Sequence, residues 1–309
     1  STIISSMIDG YSLRRFTEAI YDYYTCELDY NDGMKRVFFV ISIFVIGYLL
    51  FQFSNYNSKK QNKNDVQQTN FDKLQATGSK LQAERSLFVP YWQLDGQNQE
   101  LRSKNQGYDR YIYFGVAGTT EGVPEDDPGY EHMEGFISMT KGSRWLTVRM
   151  TDSAVNDDVL SNKESQIKIV DDAVRIAKQY GFAGLVLDFE YSSVFGGKVK
   201  EVTSFYKLFS ENTKSANLKF AITLYGDVFY RKRPYEVAQI EKYTDEIMIM
   251  AYDLHKSRGE PGPNFPLSSG KKYGYGYDLL FADLEKYVPA EKITVIFGMY
   301  GYDWKVDEQ

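Results

Sequence analysis

Gly181-Phe182-Ala183-Gly184-Leu185-Val186-Leu187-Asp188-Phe189-Glu190 reads as an apolar strand that closes on two carboxylates two positions apart. Side chains at i and i+2 of a pleated strand share a face. Asp188 and Glu190 therefore project side by side into one space, while Leu185, Leu187 and Phe189 pack on the other face. Carboxylates are costly inside a core unless something compensates them, so a pair at the mouth of a buried strand is a candidate for acid and base chemistry.

Similar apolar runs lie on either side of this one. Leu87–Tyr91, Tyr111–Val116, Trp145–Met150, Gly184–Phe189, Lys219–Tyr225, Glu246–Tyr252 and Ile293–Tyr300 are expected to be strands. They are continuous more than alternating, as strands covered on both faces are. Between them lie amphipathic stretches. In Lys163–Tyr180, Ser161 and Glu164 have capping-box spacing, Ile167, Val170, Val174 and Ala177 form one stripe, and Gly181 is a stop. Further helices are expected around Val199–Phe209, Tyr235–Tyr243 and Tyr277–Tyr287. Strand, helix and parallel strand repeated in this way imply a (β/α) barrel or a doubly wound sheet. No Gly-x-Gly-x-x-Gly follows the first strand, which disfavours the dinucleotide-binding fold. The expected fold is thus an α/β (β/α)8 TIM barrel over residues 85–309, truncated after its seventh strand, with function at the C-terminal ends of the strands.

Composition narrows the possible partners. The chain has 309 residues and a net charge of -6, which argues against a duplex nucleic-acid partner. One cysteine, Cys26, and two histidines are poor material for a zinc site, and no metal or cofactor is expected. Tyrosine and phenylalanine, 26 and 20 residues, can form core or line a groove for flat apolar ligand faces.

The N-terminal part reads differently. Val37–Phe53 is apolar apart from Ser42 and Gln52, and no charge occurs between Arg36 and Lys59, which gives close to the length needed to cross a bilayer. A helix apolar on every side is rare in a globular core. Ser54, Asn55, Tyr56 and Asn57 offer no small-x-small cleavage site, so residues 34–56 are read as an uncleaved single-pass anchor, with the following domain outside the cytoplasm. Lys35 and Arg36 before the span are partly balanced by Lys59, Lys60 and Lys63 after it. Residues 1–33 form an upstream extension without evident chemistry. Residues 57–84, rich in Gln, Asn, Lys and Ser, read as a polar linker.

Other strand ends bring further groups to the rim of Asp188 and Glu190. The sixth run closes on Met250-Ala251-Tyr252-Asp253-Leu254-His255, the first on Tyr91-Trp92, and the seventh on Tyr300-Gly301-Tyr302-Asp303-Trp304. Carboxylates with aromatic walls suit an enzyme that holds a sugar ring and protonates its glycosidic oxygen. His255 reads as a rim residue and Trp145 as core. The turn-rich Gly262–Leu267 loop is placed over the cleft.

Ala183–Glu190 resembles the Asp-Gly-x-Asp-x-Asp-x-Glu signature of glycoside hydrolase family 18, the chitinase family. Met250-Ala251-Tyr252-Asp253 matches that family's sixth-strand motif, and Gly298–Trp304 resembles its seventh-strand segment. The Phe before Glu190 and the Tyr-Gly-Tyr-Asp-Trp string are most similar to the branch of spore-germination and cortex-lytic N-acetylglucosaminidases. The resemblance implies substrate-assisted retaining catalysis on β-1,4-linked N-acetylglucosamine polymers, chitin-like or peptidoglycan. Glu190 would be general acid and then base, Asp188 would orient the substrate's acetamido group, and Tyr252 would hydrogen-bond its oxygen. Asp253, Tyr91, Trp92, Tyr300 and Trp304 would contact the sugar. Two positions depart from the signature: Ala183 at the strand's start, and Val186 one pleat below Asp188, where the family's Asp would share a proton or hydrogen bond with Asp188. Val186 gives weight to the alternative of a non-catalytic carbohydrate-binding module on the same fold, and the retained Glu190 speaks against it. A third alternative, an unrelated phosphate-binding barrel enzyme, needs a glycine-rich phosphate loop near the seventh strand, which this sequence lacks.

Overall fold

The computed structural model describes residues 84–94, 107–191 and 197–305. The extension 1–33, the apolar Val37–Phe53 span and the polar linker up to residue 83 lie outside the described residues. Among the described residues no helix is long and apolar enough to cross a membrane.

All seven expected strands are present: β1 (Ser86–Pro90), β2 (Arg110–Ala117), β3 (Ser143–Met150), β4 (Gly184–Phe189), β5 (Lys219–Tyr225), β6 (Glu246–Met250) and β7 (Ile293–Ile296). They form one sheet in sequence order, every neighbouring pair parallel. The longer connecting helices are α1 (Met133–Met139), α2 (Ser153–Ser161), α3 (Lys163–Gln179), α4 (Val199–Ser215) and α5 (Tyr277–Leu284). β6 and β7 stop short of the expected Tyr252 and Tyr300. Beyond β6, Asp253 takes a left-handed φ of 60°, which turns the chain out of the sheet.

The sheet is curled. An inner cluster draws one side chain from each strand: Phe88, Ile112, Trp145, Val186, Ala221, Met248 and Ile296. β1 and β7 are the two ends of the strand order, so a flat sheet would hold Phe88 and Ile296 far apart. The N-terminal side of the barrel says the same. Arg110 at the start of β2 donates from Nη1 and Nη2 to Glu246 at the start of β6, at 2.6 and 2.8 Å. Four strand spacings of a flat sheet would separate these strands by roughly 19 Å. Ser86 Oγ accepts from Arg110 Nε at 2.9 Å, Thr294 donates its hydroxyl to Glu246, and the guanidinium lies 4.4 Å from the Trp145 ring centroid. These contacts satisfy a cation that is almost completely buried.

The outer face carries Leu185, Leu187 and Phe189 against the helix layer, with Ile169 and Ile176 of α3 and Val202, Phe205 and Phe209 of α4 in the same core. The sequence reading of α3 needs two corrections. Its N-cap is Asn162, whose side-chain oxygen accepts from the N–H groups of Glu164 and Ser165. Ser161 instead closes α2, a helix absent from the expected set, and donates to Asp157 O. The buried stripe is Ile169, Val170, Ala173, Ile176 and Ala177, and Ile167 is exposed. Gly181 ends the segment with φ 70°, as its role as a stop requires.

Replacing Glu246 by Ala removes the bidentate carboxylate from the buried Arg110 guanidinium and leaves it only the exposed Glu84, 3.3 Å from Nε. The expected loss is about 3–5 kcal/mol in urea unfolding, with much of it recovered in the apolar double variant Arg110→Met/Glu246→Leu.

Candidate functional site

Asp188 is the last inward-facing residue of β4 and is 2% exposed. Arg149 of β3 is its register partner, and Thr223 of β5 donates its hydroxyl to Asp188 Oδ1. Burial first, and the charge of Glu190 second, push the carboxyl up from 3.8 to about 7; the Thr223 hydrogen bond and the Arg149 cation oppose the rise. Asp188 is thus poised to exchange its proton near neutral pH.

Glu190 stands just past the strand with its backbone clamped. Its N–H donates to Met150 O at 2.8 Å, and its carbonyl accepts from Asn156 Nδ2 at 2.9 Å. Asn156, at the start of α2, also donates to Met150 O. The carboxylate is half-buried and accepts from the Tyr225 phenol at 3.0 Å. Burial and the Glu190 charge raise the Tyr225 phenol far above its usual range, so it stays a donor. Arg233 lies 3.8 Å from the Tyr225 ring centroid, and its Nε and Nη2 donate to Asp227. The Tyr235 phenol donates to Phe189 O and accepts from Tyr191 N–H, both at 2.8 Å, which ties down the chain on either side of Glu190.

Tyr252 enters the same field from the end of β6. Its phenol is raised by burial and then by the charges of Asp188, Glu190 and Asp253. Asp253 is held in a separate cluster: its Oδ1 accepts from the phenols of Tyr300 and Tyr302 at 2.6 and 2.7 Å, and its N–H donates to Asn264 Oδ1. Asn264 also donates to Tyr300 O, so the Gly262–Leu267 loop joins the ends of β6 and β7. Tyr300 packs edge-on to Tyr252 at 6.0 Å, Tyr302 meets Trp304 at 5.8 Å, and the Trp304 indole donates to Lys256 O. At the end of β1, Trp92 is 52% exposed, with its ring edge-on to Phe114. Tyr91 lies beneath the Arg149 guanidinium at 4.8 Å. Arg149 is anchored by Gly115 O and Asp127, the former at a β-bulge where a Cβ on Gly115 would lie 2.3 Å from the Tyr113 ring.

Asp188, Glu190 and Tyr252 therefore form one electrostatic unit; Asp253, Tyr300 and Trp304 line a neighbouring wall, with Tyr91 and Trp92 at another strand end. The sequence reading overlooked Thr223, Tyr225, Tyr235, Asn156 and Arg149. For Thr223 and Tyr225 a signal was available, since they share the inward face of β5 with Ala221.

A curled parallel sheet with an acidic, aromatic-walled cluster at its C-terminal rim is the design of a carbohydrate-processing (β/α) barrel. Residues 23–309 match the model of glycosyl hydrolases family 18, and the chain belongs to that family. It is 28% identical over 235 residues to a class V chitinase of Arabidopsis thaliana, covering 71% of this chain and 56% of the relative. It is 27% identical over 185 residues to the uncharacterized glycosylase YvbX of Bacillus subtilis, covering 56% of this chain and 51% of the relative. The chain spans about half the length of these curated relatives. In fold it is similar to a family 18 chitinase from Cycas revoluta solved in complex with (GlcNAc)3, with a TM-score of 0.57 at 18% identity over 69% of this chain and 68% of that one.

A carboxyl whose folded pKa lies above its unfolded value adds stability below about pH 4 and loses it as pH rises through about 7. Asp188→Asn should therefore melt above the wild type at pH 8, with the difference shrinking towards pH 4. A melting difference independent of pH would contradict the assigned burial cost.

Proposed function

We propose that this protein hydrolyses β-1,4-linked N-acetylglucosamine polymers, chitin-like or peptidoglycan, by substrate-assisted retaining catalysis. The observation that carries the reading is the coupled pair: a deeply buried Asp188 with a raised pKa beside a Glu190 fixed through its backbone and by Tyr225. Glu190 in its acid form protonates the glycosidic oxygen as the bond to the anomeric carbon breaks. The acetamido carbonyl oxygen of the same sugar attacks that carbon and forms an oxazolinium ion. Ionised Asp188 accepts the acetamido N–H and offsets the positive charge, and Tyr252 donates to the acetamido oxygen. Glu190, now a base, takes a proton from water as it opens the ring, which regenerates the acid. Carboxylate separation does not diagnose stereochemistry here, because the nucleophile belongs to the substrate. Asp253, Tyr91, Trp92, Tyr300 and Trp304 contact the sugars.

The reading extends to location. Val37–Phe53 anchors the chain in a membrane, and residues 57–84 tether a domain outside the cytoplasm; the apolar span and the polar composition after it support this. Retention in the pellet after an alkaline carbonate wash of membranes is expected, and release into the wash would contradict the anchor.

Val186 in the inner cluster favours a second reading, a carbohydrate-binding module without turnover. Glu190→Gln separates the two. Loss of hydrolysis of an N-acetylglucosamine oligomer by at least about a thousandfold, with binding retained in calorimetry, is the expected result. Equal turnover in wild type and variant would sink the enzymatic assignment to Glu190, and a wild type that binds without shortening the oligomer would favour the module.

A further inference from the structure

Two threonines on the barrel's inner wall are unequally satisfied. Thr147 of β3 and Val186 of β4 are register partners, one pleat below the pair Arg149 and Asp188. Thr147 is fully buried, and among the described residues its hydroxyl has no hydrogen-bond partner. Across β4, Thr223 of β5 donates to Asp188 Oδ1. The side of Asp188 that faces down its own strand meets a valine, while a hydroxyl from the neighbouring strand holds its carboxylate.

We propose that Thr223 is the positioning residue for Asp188, replacing from β5 the hydrogen-bonding side chain that β4 lacks at Val186. This rests on the glycosidase reading, in which Asp188 accepts the acetamido N–H in its ionised form. The groups whose charge or titration is felt at Asp188 are Glu190 on its own strand, Arg149 on β3, Tyr252 at the end of β6, Tyr235 after β5 and, from the outer side of the sheet, Tyr206 on α4. The phenols remain protonated, and Arg149 is engaged by Asp127 and Gly115 O. Thr223 donates a hydrogen bond to the carboxylate itself. A donor to an ionised oxygen stabilises that state and fixes its rotamer. Losing it raises the pH at which Asp188 ionises, so activity needs a more alkaline medium.

The test uses the full chain and the near-isosteric Thr223→Val, with Thr223→Ser as the variant that keeps the hydroxyl. The acid limb of kcat/KM against pH should move up by about one unit in Thr223→Val, a roughly tenfold loss below the limb, and stay in place in Thr223→Ser. Should Thr223→Val fail to fold, Thr223→Ala carries the same expectation. Adding Val186→Asp to Thr223→Val should return the limb towards the wild-type position. The introduced carboxyl lies beside the orphan Thr147 hydroxyl, holds the proton that two adjacent carboxyls share, and donates it to Asp188. The carbon-13 NMR titration of the Asp188 carboxyl reads the same shift without turnover. If neither midpoint nor limb moves in Thr223→Val, the proposal is overturned. If the midpoint moves but the wild type shortens no oligomer, the role of Thr223 stands and the glycosidase reading falls.

Discussion

Burying one carboxyl at the top of a hydrophobic barrel interior is the constraint around which the rest is arranged. Asp188 sits above a cluster to which every strand contributes an apolar side chain. Its desolvation opposes ionisation, and the charge of Glu190 adds to that. The interior tolerates it because the Thr223 hydroxyl donates to it from one adjacent strand and the Arg149 cation lies beside it on the other; at the opposite end a separate polar layer pairs Arg110 with Glu246. The cost in stability falls at the point where the chemistry is placed.

Rigidity around Glu190 has a different origin. Asn156, Tyr225 and Tyr235 come from three segments; the first two fix the carbonyl and carboxylate of Glu190, and Tyr235 fixes the backbone of its neighbours Phe189 and Tyr191. In the proposed role of Glu190 as proton carrier, a displacement of an ångström would cost alignment with the glycosidic oxygen, so such clamps matter even where they touch no substrate. Asn264 does the same for the aromatic wall, joining Asp253 to the Tyr300 segment across a loop whose sequence signals only turns.

Much of this was legible in the sequence. Buried parallel strands are continuous apolar runs, so β1 to β7 could be placed closely, and the i, i+2 spacing put Asp188 and Glu190 on the inner face. The cap and face of α3 were misjudged because Ser161 and Asn162 are both good caps and the apolar residues of the helix spread over more than one stripe. Thr223 and Tyr225 went unrecognised as site residues because threonine and tyrosine are ordinary strand formers. Their roles depend on which strand lies beside β4, a fact of topology that local pattern does not encode. Arg149 and Asn156 are likewise defined by contacts across the barrel rim.

The central claim is that the substrate's acetamido group supplies the nucleophile that Asp188 manages. It is tested most directly by comparing turnover of the 4-nitrophenyl glycosides of β-1,4-linked N-acetylglucosamine dimer and of cellobiose, which differ in the acetamido group at each ring. The account predicts release of nitrophenol from the first and loss of at least about a thousandfold in kcat with the second, since losing an intramolecular nucleophile removes several kcal/mol of barrier lowering. Comparable kcat values for the two would contradict it.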